Sequence, residues 1–299
     1  MDINLIGVPI NYGCDREGAQ YGPKKLREIG IVNIIKKNSH KVYDLGDIHV
    51  PFVSPDKKYC FHKTMKYLDS VVEINTNLAQ AIYCTLAGKG FPFTIGGDHS
   101  LGMGSIAGSS KYFKEIAVIW IDAHGDINDS ETSPTGNIHG MPLAASMNVG
   151  HETLANLFYT GQKVKPENVY IIGARDLDEG EIALAEKLEI NLYTMETVKG
   201  MGLENVINEV ISKVKSSKVD GVHLSFDIDA LDSEIVPGTG TRVPEGFTID
   251  ESKELLGRIL EQGFVKSMDF VELNPELDID DKTANICIEL VDHIFKNIK

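Results

Sequence analysis

An α/β fold with a central, mainly parallel sheet covered by helices on both faces, a three-layer αβα arrangement, is the architecture this sequence predicts. Short apolar runs alternate with helix-length periodic segments along almost the whole chain. The centres of the runs are rich in Ile, Val and Phe, as expected of strands buried on both faces. No internal repeat, low-complexity tract or charge block marks a linker, so residues 1–299 are expected to form one domain.

The strand candidates are Ile3 to Val8, Phe91 to Ile95, Ile116 to Ile121, Val169 to Ile172, Gly221 to Phe226 and Val265 to Leu273. Weaker ones lie at Lys41 to Leu45 and Ile190 to Tyr193. The intervening helix candidates are Pro23 to Gly30, Phe61 to Leu86, Glu181 to Leu188, Leu203 to Val214, Ile249 to Glu261 and Asp280 to Asn297. Pro23 suits a first helical turn, and Thr248-Ile-Asp-Glu251 reads as a capping box. The gaps Ile127 to Pro142 and Asp229 to Phe247 follow two strand ends, where α/β folds carry function.

Composition narrows the class. A hydrophobic content of 42% and an aromatic content of 7% suit a soluble globular chain. The formal charge of −15 argues against a nucleic-acid partner; it suits solubility and is compatible with a cationic small substrate. The opening residues lack the pattern of a signal peptide, and no apolar stretch reaches the roughly 20 residues that span a bilayer. The four cysteines, Cys14, Cys60, Cys84 and Cys287, are scattered and form no CxxC pair. A cytoplasmic protein with reduced thiols and no membrane partner is the expectation.

Chemistry concentrates at three strand ends. Asp122-Ala-His124-Gly-Asp126 and Asp227-Ile-Asp229 each set ligand-type side chains two residues apart, on one face of extended chain. His99, in Gly96-Gly97-Asp98-His99-Ser100, adds an imidazole after another apolar run. A parallel sheet would bring all three ends to one edge. Any one Asp there reads most simply as a turn or helix cap, but three ends all bearing ligands do not. Four carboxylates and two imidazoles are costly to bury together unless cations neutralise them. The absence of thiolates favours a hard or borderline ion such as Mn²⁺ over structural zinc. Two divalent ions would balance four carboxylates and lower the pKa of a shared water, which implies metal-assisted hydrolysis.

Neighbouring segments add candidates. Asn128, Ser133, Thr135, Asn137 and His139 lie in one polar loop, and His139 is its group suited to moving a proton near neutral pH. Asp178 and Glu181 follow a further strand, and Glu272 is expected inside the last one, facing a cation or dipole. Asp98 is expected to orient a ligand histidine. Gly238-Thr-Gly-Thr241 reads as a turn or as backbone brought close to the site, and His223 as a hydrogen-bonded core residue.

Taken together these motifs resemble the ureohydrolase family, and within it the arginases. The resemblance runs from Ile6-Gly-Val-Pro and Gly-Pro-Lys-Lys-Leu-Arg27 to Glu272-Leu-Asn-Pro, with every metal position filled by the expected residue type. It implies an arginase/deacetylase-like fold with two Mn²⁺ per subunit, held by His99, Asp122, His124, Asp126, Asp227 and Asp229. A bridging hydroxide would attack the guanidinium of L-arginine to give urea and L-ornithine. Asp126 would steady that hydroxide, His139 would shuttle a proton and Glu272 would hold the guanidinium. Asn128, Ser133 and Thr135 would meet the α-carboxylate and Asp178 the α-amino group, with Asn137, Glu181 and Thr241 completing the substrate shell. The chain differs from common family patterns at Ser133 and Thr135, where the hydroxyl is kept, and at Arg242-Val-Pro-Glu245, which places a cation beside the loop. The end directly after the last helix resembles bacterial members, implying a homo-oligomer, trimer or hexamer. The nearest alternative is a hydrolase of agmatine or another guanidino compound; a different class is a non-catalytic metal-binding homologue.

Overall fold

The computed structural model describes residues 1–299. Eight strands form one sheet: β1 (Asp2–Val8), β2 (Lys41–Asp47), β3 (Phe91–Gly96), β4 (Ile116–Ile121), β5 (Val169–Ile172), β6 (Asn191–Tyr193), β7 (Gly221–Asp227) and β8 (Val265–Val271). Every pairing is parallel, in the order β2-β1-β3-β8-β7-β4-β5-β6. The carboxyl ends of β3, β8, β7, β4 and β5 are therefore side by side, and a crevice there draws on five distant stretches of sequence.

The helices are α1 (Gly22–Glu28), α2 (Ile31–Lys37), α3 (Leu68–Ala87), α4 (Gly102–Tyr112), α5 (Pro142–Ser146) and α6 (Glu152–Ala155). They continue with α7 (Glu179–Leu188), α8 (Met195–Met201), α9 (Leu203–Ser216), α10 (Ile249–Leu260) and α11 (Lys282–Asn297). Strand alternation decides which layer each covers. In β4, Ala117, Ile119 and Ile121 pack with α9, α10 and α11, while Ile116, Val118 and Trp120 face α4 and α5. Both faces of the sheet are thus apolar, which explains the continuous Ile/Val runs.

Several elements differ from the sequence expectation, each for a local reason. The helix expected from Phe61 begins only at Leu68, because Lys66 N donates to Gly136 O and Tyr67 N to Lys58 O. These tertiary bonds hold the preceding chain out of a helix. Helix α4 is not legible from propensity, since its sequence is rich in Gly and Ser. Those small residues are there for close packing: a Cβ on Gly108 would lie 2.5 Å from Ala79 O of α3. Helix α2 is a separate element because Gly30, at φ 97°, breaks it from α1. The last strand ends at Val271, so Glu272 stands one residue beyond it rather than inside it.

The capping box at Thr248 and Glu251 is present and starts α10. His223 is a core residue: its Nε2 lies 3.1 Å from Asp269 Oδ2 and its Nδ1 2.9 Å from Ser267 Oγ. Asp269 also accepts from Ser105 Oγ at 2.7 Å, tying α4 to β8. Asp269→Ala leaves these buried donors without an acceptor and is expected to cost about 3 kcal/mol, read as a lower urea midpoint.

Candidate metal centre

The ligand-type residues sit where β3, β4 and β7 stop, with Asp178 and Glu272 following β5 and β8. After β3 the chain makes a short 3₁₀ turn capped by Asp98, whose Oδ1 accepts Ser100 N at 3.0 Å. Its Oδ2 accepts Gly13 N at 2.8 Å and Cys14 N at 3.3 Å. Asp98 therefore ties the β1 loop to the turn and makes no hydrogen bond to the His99 imidazole; the expectation that it orients a histidine fails because both its oxygens are directed to backbone N–H groups instead. Two other residues orient that ring. His99 stacks on Trp120 (centroids 3.8 Å apart, planes at 8°), and its Nε2 lies 2.8 Å from Ser225 Oγ.

With Nε2 engaged, His99 Nδ1 points into a ring of carboxylates. It lies 2.9 Å from Asp122 Oδ2, 3.1 Å from Asp227 Oδ2 and 3.3 Å from Asp126 Oδ2. Yet this buried nitrogen makes no hydrogen bond with any of them. Asp122 turns its other oxygen to His124, at 2.7 Å from the backbone N and 3.2 Å from Nδ1. Asp229 Oδ2 approaches His124 Nδ1 to 3.3 Å and accepts from Thr241 Oγ1 at 3.0 Å. The donors fall into two groups, His99/Asp122/Asp227 and Asp122/His124/Asp229, each with ligand atoms within 4.8 Å of one another. Asp122 belongs to both.

Charge makes this arrangement unstable without a cation. Burial, with Asp122 beside it, pushes the Asp126 carboxyl well above the carboxylate range. Burial and the charges of Asp229 and Asp122 do the same to Asp227. Burial would lower both imidazoles, but Asp122 and Asp126 outweigh it at His99, and Asp229 and Asp122 at His124. Asp122, between the imidazoles, is held far down although burial opposes this. The cluster thus takes up protons in place of ions. An orphaned imidazole nitrogen facing three carboxylates, with no thiolate near, fits a divalent metal. The neighbouring Cys14 is no competitor, since burial, Asp98 and Glu272 keep its thiol well above the usual range.

Outward from the metal ligands opens a cleft of about 420 Å³ whose lining includes His124, Asp126, Asp178, Ser133, Thr135 and Thr241. Asn128, Asn137, His139 and Glu181 also line it. Asn128 Nδ2 donates to Asp178 Oδ2 at 2.8 Å. Glu181 uses both oxygens on backbone, accepting from Ile127 N at 3.1 Å and Asp178 N at 3.0 Å. It therefore fixes the two segments that carry Asn128 and Asp178. Asn137 bridges Lys66 Nζ and Cys14 O at 2.8 and 3.0 Å.

Glu272 Oε1 accepts His99 N at 2.9 Å and lies 3.5 Å from His139 Nδ1. Two site residues, Asp126 at φ 54° and Glu272 at φ 67°, hold left-handed backbone that non-glycine residues avoid. Trp120 and Ser225 were not singled out from sequence, although each stands two residues before a ligand on the same strand face. Asp176, which also lines the cleft, and Arg175 were likewise overlooked individually.

A buried carboxylate–imidazole cluster at the carboxyl edge of a parallel sheet, opening onto an acidic cleft, defines a metal-dependent hydrolase. The arginase family model matches residues 1–296. An arginase of Brevibacillus brevis is 42% identical over 98% of this chain and 97% of its own length. The native structure of Bacillus caldovelox arginase superposes with a TM-score of 0.93 at 40% identity, covering 98% of both chains. The crystal structure of Bacillus subtilis arginase gives 0.91 at 41%, again covering 98% of each. The chain belongs to the arginase family.

Because metal must displace protons from Asp126, Asp227 and His124, its binding strengthens as pH rises. The raised carboxyls also mean that the metal-free folded chain binds more protons than the unfolded one above the ordinary Asp range. Their contribution to its stability consequently falls as pH rises. The increase in melting temperature on adding divalent metal is expected to grow between about pH 6 and pH 8.5. A constant or shrinking increase in calorimetric scans would contradict this charge balance.

Proposed function

We propose that this chain is an arginase that hydrolyses the guanidinium group of L-arginine to urea and L-ornithine on a pair of Mn²⁺ ions. The observation that carries the reading is the double donor set sharing Asp122, open to a cleft lined by Asp126, Asp176, Asp178 and Glu181. Four carboxylates suit a substrate with two cationic ends.

His99, Asp122, Asp126, Asp227, His124 and Asp229 would hold the ions, which supply Lewis acidity and lower the pKa of water towards neutrality. Glu272, beyond β8, takes the guanidinium, and its bond from His99 N fixes its direction. Asp178 receives the α-amino group while Asn128, Ser133 and Thr135 donate to the α-carboxylate, with Asn137 closing that end of the cleft. Glu181 acts by holding Asp178 and Asn128 in place, and Thr241 by holding Asp229. Asp126 would steady the attacking oxygen, whose two protons pass to solvent as urea forms. His139 delivers a proton to the ornithine nitrogen as its bond to the guanidino carbon breaks. The water oxygen ends in urea, and the leaving amine departs neutral or protonated by exchange with solvent.

Substrate selection rests on the α-carboxylate. Arg242 is the only Lys or Arg lining the cleft and has no ion-pair partner. Beside four carboxylates, a free guanidinium favours a substrate that brings a negative group. Agmatine lacks that group and would leave the polar loop unpaired. No helix is long and apolar enough to cross a membrane. We expect the enzyme to act in the cytoplasm as a homotrimer or hexamer, which light scattering would show.

Urea release with Mn²⁺ should favour arginine over agmatine by about 10²-fold or more in kcat/KM; preference for agmatine would reject the assignment. Arg242→Ala should narrow that ratio about three- to tenfold, chiefly through KM for arginine. His139→Ala should lower kcat about 10²-fold with metal content unchanged. Metal loss in that variant would assign His139 to the ligand set instead. Bound arginine without urea would favour the non-catalytic alternative.

A further inference from the structure

Arg175 lies just beyond β5 and is not among the ligands or the cleft residues, yet it is the most densely bonded side chain near the site. Its guanidinium donates only to backbone carbonyls: Gly173 O (3.3 Å), Asp229 O (2.8 Å), Ala230 O (3.3 Å), Leu231 O (3.0 Å), Val243 O (2.9 Å) and Pro244 O (2.9 Å). Its own backbone N donates to Ala123 O at 2.8 Å, and the next residue's N reaches the same oxygen at 3.1 Å.

These contacts select one half of the metal centre. Ala123 separates Asp122 from His124, and Asp229 completes the group Asp122/His124/Asp229. Arg175 thus grips both chain segments that supply this donor set, one through its backbone and one through its side chain. Nothing comparable links it to His99 or to Asp227. Through Val243 and Pro244 it also holds the segment carrying Thr241, whose hydroxyl bonds Asp229 Oδ2 at 3.0 Å.

The fit is shaped for a planar fork. A lysine has three donors and cannot serve six acceptors spread over three segments. Gly246 leaves room for the fork: a Cβ there would lie 2.5 Å from Arg175 Nη2 and 2.6 Å from Leu231 C.

We propose that Arg175 is a positioning residue that sets the affinity of the second metal ion, the one held by Asp122, His124 and Asp229, by clamping the backbone on both sides of that ligand group. This rests on the two-ion reading above. Groups that orient metal ligands from behind typically govern about 10–100-fold in metal affinity.

The test is Mn²⁺ equilibrium dialysis on the full chain, with circular dichroism to check folding, for the wild type, Arg175→Lys and Gly246→Ala. Arg175→Lys keeps the charge and loses the fork; Gly246→Ala keeps the arginine and displaces it. Both variants are expected to bind one ion with wild-type affinity and the other about 10–100-fold more weakly. Urea formation should fall at limiting Mn²⁺ and recover in excess, with KM for arginine little changed. Two tightly bound ions on the wild type and on both variants would overturn the inference while leaving the two-ion reading intact. Equal weakening of both ions, or failure of both variants to fold, would show a general structural role and overturn it as well. A wild-type chain that takes up only one ion would defeat the two-ion reading itself.

Discussion

The structure depends on how Asp122 sits between two imidazoles. One of its oxygens faces the buried His99 Nδ1 at 2.9 Å and the other His124 Nδ1 at 3.2 Å, where the cleft begins. Asp126, Asp227 and Asp229 crowd the same space, and like charges at such separations repel strongly in a poorly polarisable interior. Protons relieve the repulsion only in part. Divalent cations would relieve it further, since the donors are mainly carboxylates and no thiolate is among them.

Much of the surrounding architecture keeps that crowd in register. Trp120 holds His99 by stacking and donates its indole N–H to Asp122 Oδ2 at 3.0 Å. Ser225 holds the far nitrogen of the same imidazole, and Thr241 holds Asp229. Left-handed backbone at Asp126 and Glu272 turns both side chains towards the cluster, at a cost in strain that the sheet beneath supports. Five adjacent parallel strands give these residues a rigid base. The other residues lining the cleft sit on loops and on the first turn of α7, where Asn137 and Glu181 spend their polar atoms tying one segment to another.

The layering and the metal ligands were legible because both obey short rules. Ile/Val runs mark buried parallel strands, and ligand-type residues directly after them mark one sheet edge; the extended spacing expected of them does not persist, because β4 stops at Ile121, Asp126 is left-handed at φ 54° and Asp229 lies in a 3₁₀ turn. Trp120 and Ser225 stand just before that edge, but an aromatic or a serine inside an apolar strand carries no chemical flag of its own. Helix α4 was hidden because its glycines answer to the surface of α3, not to helix propensity. The late start of α3 depends on Lys66 and Tyr67 bonding to residues distant in sequence. Glu181 and Asp98 look like site acids in the sequence, whereas their oxygens are engaged by backbone N–H groups that only the folded chain brings near. Arg175 was invisible for the same reason, since all its side-chain partners are carbonyls, which every residue possesses.

The shared position of Asp122 is the most direct point at which to test the account. Counting Mn²⁺ per chain by elemental analysis after dialysis of Asp122→Asn against wild type would do so. About two ions are expected on the wild type and close to none on the variant, because both donor groups lose their common carboxylate. A folded Asp122→Asn chain that retains both ions would contradict it.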